Sequence, residues 1–249
     1  MAQAQGISHA RAIIFGLIAA CFWLAPAGVS PAFCAEESAG YVDALKGRAF
    51  AQSAAMGRRA LALESPVYSG DTVETGPDSA LRLVFRDETV KEMHASSRME
   101  LAEYAFDPED KGIGQMLVSF ATGVFRTVTG GIVKNNPSRF SLTAPLAAVG
   151  IRGTEIGSRV QSGKELHALL SGTPIVVTGR EGPPQVVAKA DFGVDVATGA
   201  PVSAPRELTE EEKRLFAKMG FTRQMDIMRR QMLLRTRTMV KPPKMKALF

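Results

Sequence analysis

The sequence predicts a mainly β domain, a twisted solenoid in which each turn stacks on the last, a barrel or a sandwich-like fold, followed by an α-helical tail. Three observations predict it. From Gly40 to Val196, apolar residues recur in short runs, the clearest with period two, broken by Gly, Pro, Asn and Asp at close, fairly even spacing. The composition changes at 201–205, and helical periodicity begins only beyond it. Between them, the stretch TAPLAAVGIRGTEIGSR (143–159) has Pro145 before a β-favouring run and Gly150 and Gly153 on either side of Ile151 and Arg152. Proline starts or edges a strand because it cannot donate to a ladder, and glycine inside a strand pattern marks a bulge or a close backbone approach. Arg152 is therefore expected on a kinked strand with its guanidinium inside the domain, paired with a carboxylate, for which Asp71 and Asp87 are the candidates. The alternative is an exposed anion or partner contact.

Residues 1–35 hold one Lys or Arg, Arg11, and no acid, then run apolar from Ile13 to Leu24 into Pro26, Gly28 and Pro31. This is the pattern of a secretory signal peptide, cleaved before Glu36 or after Ala32 or Ala27. Export to the periplasm or beyond is the expectation. Both cysteines, Cys21 and Cys34, lie in this leader, so no disulfide or thiolate site is expected afterwards. The competing reading makes Ile18-Ala19-Ala20-Cys21 a lipobox and Cys21 a lipidated N-terminus, although the apolar segment after it is unlike a polar tether.

The expected β domain spans 36–205. A first strand pair is centred on Gly47, and 49–59 reads either as strand or as a short helix. Turns at 69–71 and 74–78 bracket a short strand. Leu81, Leu83 and Phe85 alternate with Arg82, Val84 and Arg86, the signature of a half-buried strand. Asp87-Glu88 turns the chain into a strand at 89–93, and Met99 and Leu101 mark another. An apolar-rich segment fills 115–129, and Gly130-Gly131 and Asn135-Asn136-Pro137 break the pattern after it. Leu166–Leu170 and Ile175–Thr178, joined through Ser171-Gly172, read as a hairpin. Strands at 185–190 and 192–196 close the region.

The tail, 206–249, opens with Thr209 as a helix N-cap and Glu210, Glu211 and Glu212 at the positive end of the dipole. A second helix places Phe221, Met225, Met228 and Met232 on one stripe and Arg223 and Arg230 on another face. That stripe either docks on its own domain or serves a partner groove or an anionic membrane surface. Charge divides the same way: 36–205 carries 17 Lys+Arg against 20 Asp+Glu, and 206–249 carries 12 against 5. The sequence pI near 9.4 thus belongs to the tail and does not argue for nucleic-acid binding.

Catalytic patterns are wanting. His94 and His167 stand alone beyond the leader, no phosphate loop or nucleophile elbow occurs, and the acids at 107–110 do not match an EF-hand. No cofactor or metal is expected.

Several motifs occur together in order: Gly70-Asp71-Thr72-Val73 with Thr75-Gly76, the 81–89 strand ending in Asp87, Ser96-Ser97-Arg98-Met99-Glu100-Leu101, Gly123-Val124-Phe125, and Val149-Gly150-Ile151-Arg152-Gly153-Thr154. With them the chain resembles the FecR-domain family over about 40–199. The resemblance implies a periplasmic, largely β domain in which Gly70, Asp71, Asp87, Gly150, Arg152, Gly153 and Thr154 are structural motif residues. It departs from the family where Asp-Gly-Ser gives way to Asp87-Glu88-Thr89, which is expected to change the turn type, and where Ala144 stands for a threonine before proline. The founding type links an outer-membrane transporter to a cytoplasmic sigma factor through a membrane helix, for which no span is seen here, so that role is not carried over. The expected function is a non-enzymatic interaction or sensory module binding another cell-envelope protein; the alternative is a cell-wall or polysaccharide-binding module.

Overall fold

Two stacked sheets share one long strand. A computed structural model describes residues 37–110 and 114–217; the leader with Cys21 and Cys34, and the stripe Phe221, Met225, Met228 and Met232 with Arg223 and Arg230, lie outside the described residues. The first sheet runs β4 (Pro66–Val67), β1 (Gly40–Lys46), β6 (Ala80–Phe85), β7 (Val90–Met93), the second half of β9 (Gly114–Val128), β12 (Thr154–Gln161), β13 (Lys164–Gly172), β16 (Phe192–Ala197) and β17 (Arg206–Glu207). The second runs β3 (Gly57–Leu61), β2 (Ala49–Ser53), β5 (Asp71–Thr75), β8 (Arg98–Phe106), the first half of β9, β10 (Phe140–Thr143), β11 (Ala147–Gly150), β14 (Ile175–Gly179) and β15 (Gln185–Val187). Every pairing is antiparallel except β9 with β10. The inward faces of both sheets contribute to one core, including Leu81, Leu83, Phe85, Met99, Phe120 and Val177.

The chain steps back and forth between the sheets, which corrects two sequence expectations. The segments around Gly47 do not pair: β1 bonds β4 and β6, whereas β2 bonds β3 and β5 in the other sheet. Likewise β13 and β14 are no hairpin, since β13 bonds β12 and β16 and β14 bonds β11 and β15. Gly47 and Gly172 sit at φ +76° and +99°, the left-handed region, and here they turn the chain across the sandwich. The ambiguous 49–59 stretch is strand: β2 and β3 form a true hairpin. At the turn after β6, Glu88 takes φ +66° itself, so the substitution for glycine keeps a left-handed residue there and does not impose a new one.

Strand β9 changes sheets at Gly123, where φ is +119° and a Cβ would lie 2.2 Å from Ser97 Oγ. Ser97 Oγ accepts the Val124 N–H at 3.1 Å, so the close approach fastens the bend. Gly123→Ala combines φ strain with overlap, and urea unfolding should show a loss on the order of 2–3 kcal/mol.

The outer face of the first sheet carries a charge ladder, Arg82–Glu92–Arg126–Glu155, with N···O distances of 2.7–2.9 Å. Beside it lies α2 (Glu210–Ala217). Its capping box is reciprocal: the Glu212 N–H donates to Thr209 Oγ1 at 3.2 Å and the Thr209 N–H to Glu212 Oε2 at 2.9 Å. Phe216 covers Gly157, whose missing side chain makes the room, and packs in a small second core with Leu166, Ala168 and Leu208. Residues 206–217 pack on the β domain, since β17 pairs with β16 and α2 docks on the same sheet.

Candidate functional site

The motif residues fall into two buried fasteners and one open cleft. Gly70, at φ +80°, turns the chain into β5, whose first residue is the fully buried Asp71. Its carboxylate takes Arg59 Nη1 at 2.9 Å and Arg59 Nη2 as a bidentate pair, and accepts the Tyr68 N–H at 2.7 Å. The β2–β3 hairpin that supplies Arg59 is thereby tied to the turn before β5. The guanidinium also lies over the Tyr68 ring, 5.2 Å from its centroid.

Asp87 is the second fastener. Its carboxylate accepts the Thr89 hydroxyl at 2.7 Å, the Thr89 N–H at 3.2 Å, the Ile132 N–H at 3.2 Å and the Tyr104 hydroxyl at 3.3 Å. It joins the β6–β7 turn to the start of α1 (Gly131–Asn135) and to β8. Gly130 fits under this turn because a Cβ there would lie 2.1 Å from the Asp87 carbonyl oxygen. Burial first, and then the neighbouring carboxylate, push the Tyr104 phenol up, so it stays a donor.

Neither carboxylate meets Arg152, and the expected internal pair is overturned. After β11 the chain crosses from the second sheet to the first over 151–153. Ile151 points into the core, Arg152 is exposed, and Gly153 at φ +100° redirects the backbone. Thr154 then anchors β12: its N–H donates to Thr129 Oγ1 at 2.9 Å and its hydroxyl to the Ser171 carbonyl at 2.5 Å. The alternation of a crossover, one residue in and the next out, is what puts the arginine in water. Among the described residues Arg152 has no hydrogen bond or ion pair.

Arg152 borders an open cleft of about 620 Å³, whose other walls are Pro137, Phe140, Gly150, Pro174 and Val176. Gly150 does not kink β11; it stands in register with Val176, which is opposite Val186. With no side chain on Gly150, Val176 and Val186 stay 38% and 54% exposed, as an apolar strip leading from the cleft.

Two further groups escape sequence analysis. Lys91 is 1% exposed, with Nζ 3.1 Å from Thr127 Oγ1 and 5.0 and 5.1 Å from the ring centroids of Phe120 and Phe140. Desolvation lowers its pKa to about 7 against the opposing pull of Asp87. Ser158, His167 and Glu165 form a line, with Ser158 Oγ 3.1 Å from Nδ1 and Glu165 Oε2 3.0 Å from Nε2. The spacing suits a nucleophile, base and carboxylate, but Ser158 and His167 are 1% and 0% exposed, which denies a substrate access. Glu165 Oε1 also accepts the Leu146 N–H at 2.7 Å, so the line fastens one sheet to the other. No alternation of sequence marks either group, because β7 and β13 are buried on both faces. The described residues hold no cluster of His, Cys, Asp and Glu that could bind a metal, and burial lowers the His94 pKa against the opposing pull of Glu92.

Residues 71–173 match the family model described as FecR protein. Two crystal structures of proteins from Parabacteroides distasonis, each provisionally named an anti-sigma factor, are similar at 13% and 12% identity, with TM-scores of 0.47 and 0.45. Each alignment covers 59% of this chain and 63% or 64% of the other, so the match spans less than two thirds of those chains. No curated protein matches the sequence.

Proposed function

We propose that this chain, whose residues 71–173 carry a FecR domain, is a non-enzymatic regulatory module that binds another cell-envelope protein through the face around Arg152. The observation that carries this reading is the contrast among the motif residues. Asp71, Asp87 and Thr154 are consumed by internal bonds, whereas Arg152 is exposed without a partner among the described residues, beside an apolar cleft. An arginine fork next to apolar surface is the composition of an interface anchor. Export by the leader would bring this face into the envelope, and an N-terminus at Glu36 in the periplasmic fraction would support that location.

The test uses a photo-crosslinking amino acid at Ser138, on the cleft wall, and at Glu100, exposed on β8. In intact cells a discrete protein adduct is expected from position 138 and not from position 100. Arg152→Ala should leave the melting temperature within about 2 °C, as an exposed side chain without partners does, and remove the adduct. A melting temperature lowered by much more would return Arg152 to a structural role, and no adduct at position 138 would sink the binding reading.

A further inference from the structure

The charge around the cleft says what kind of partner fits it. Between Asp110 and Glu155 the sequence contains no Asp or Glu, while Lys111, Arg126, Lys134, Arg139 and Arg152 all fall there. Arg126 is consumed in the ladder on the other sheet. Lys134, Arg139 and Arg152 are exposed and, among the described residues, hold no carboxylate. Lys134 lies in the last turn of α1, and Arg139 ends the 3-10 turn Pro137–Arg139, whose Pro137 and Ser138 line the cleft. Arg58, Arg59, Arg86, Arg98, Arg159 and Arg206 each reach an acid, whereas the exposed Arg48, Arg180 and Arg214, like Arg139 and Arg152, meet none among the described residues. The lining of the cleft thus carries one cation, Arg152, and no acid, beside the apolar Phe140, Ile151, Pro174 and Val176.

We propose that this cleft docks an extended segment of a partner protein that carries a carboxylate next to an apolar anchor residue. The carboxylate meets the Arg152 fork, for which planar bidentate geometry is available, and the anchor fills the recess over Gly150. The volume of about 620 Å³ is within the range of ligand-sized clefts, roughly 300–1,000 Å³. A membrane surface fits less well, because Phe140 and Ile151 of the lining are buried and the exposed apolar strip holds only Val176 and Val186, whereas a bilayer is entered by a broad apolar face. This inference rests on the reading of the Arg152 face as a protein-binding surface.

A random-peptide library panned against the full chain tests it. Selected peptides should carry Asp or Glu beside Leu, Ile, Val or Phe. A synthetic peptide of that kind, followed by fluorescence anisotropy, should lose about tenfold or more in affinity when its acids become amides, and as much against Arg152→Gln. Binding should weaken with added NaCl. Selected peptides without acids, equal binding by Arg152→Gln, or no selection at all would overturn the proposal. So would Arg152-dependent binding to phosphatidylglycerol vesicles in preference to the peptide. A protein adduct at position 138 together with failure of the acidic peptides would remove this inference and leave the binding function standing, whereas loss of the adduct removes the function itself.

Discussion

Asp87→Ala should lower the unfolding free energy by on the order of 3–5 kcal/mol, measured by urea denaturation with the slope unchanged. Four donors lose their acceptor at once: the Thr89 N–H and hydroxyl, the Ile132 N–H and the Tyr104 hydroxyl. All but Tyr104 belong to parts of the structure that water does not reach freely, since Thr89 and Ile132 are buried. An orphaned buried donor costs about 1–3 kcal/mol, and some of the four would recover a water molecule in the space left by the carboxylate. The substitution also removes a negative charge that acts on Lys91. Asp87→Asn, which keeps the shape and part of the acceptor capacity, should recover a portion of the loss. An alanine variant as stable as the parent would refute the role of this carboxylate as a fastener.

Lys91→Met should act in the opposite direction and make the protein more stable by a few kcal/mol at pH 7 and below. The buried ammonium is compensated by one hydroxyl, two ring faces and the field of Asp87. Its pKa falls to about 7 in the folded protein, against roughly 10.4 for a lysine in the unfolded chain. Between those values the unfolded chain binds more protons than the folded one, so stability rises with pH from about 7 to about 10. Below pH 7 both states are protonated and the burial penalty is fully present; above pH 10 both are neutral and it is gone. At about 1.4 kcal/mol per pH unit, the rise across this window is at most roughly 4–5 kcal/mol. In Lys91→Met, a substitution that fits a straight chain of similar volume, that rise should vanish while the rest of the pH profile is kept. A parent protein whose stability is flat from pH 7 to pH 10 would contradict this account.

The sequence by itself determined the class of the fold and the position of most strands. Leu81, Leu83 and Phe85 do face the core, Thr209 does cap a helix with Glu212, and the ordered motifs from Gly70 to Thr154 do fall within or beside a FecR match over 71–173. These are local properties: period, capping and turn chemistry are written within a few residues of chain. Gly123 could also be flagged from its motif, although its role in bending β9 from one sheet to the other required seeing Ser97 against it.

Partnership was decided only by the tertiary structure. A glycine in the left-handed region can close a hairpin or carry the chain across a sandwich, and the residues on either side read the same in both cases. Gly47 and Gly172 do the second, so β1 and β2 lie in different sheets, as do β13 and β14, instead of bonding to each other. The error about Arg152 has the same origin. Its alternation within 151–153 is fixed locally, but whether the outward side meets another layer or solvent depends on which segments pack there. Asp71 was taken by Arg59, 12 positions away, and Asp87 by Thr89, two positions on, together with Tyr104 and Ile132, 17 and 45 positions away. Charge pairing across such separations is selected by the assembled sheets, because many carboxylate and arginine pairs are compatible with one sequence and only one set is brought within hydrogen-bonding distance.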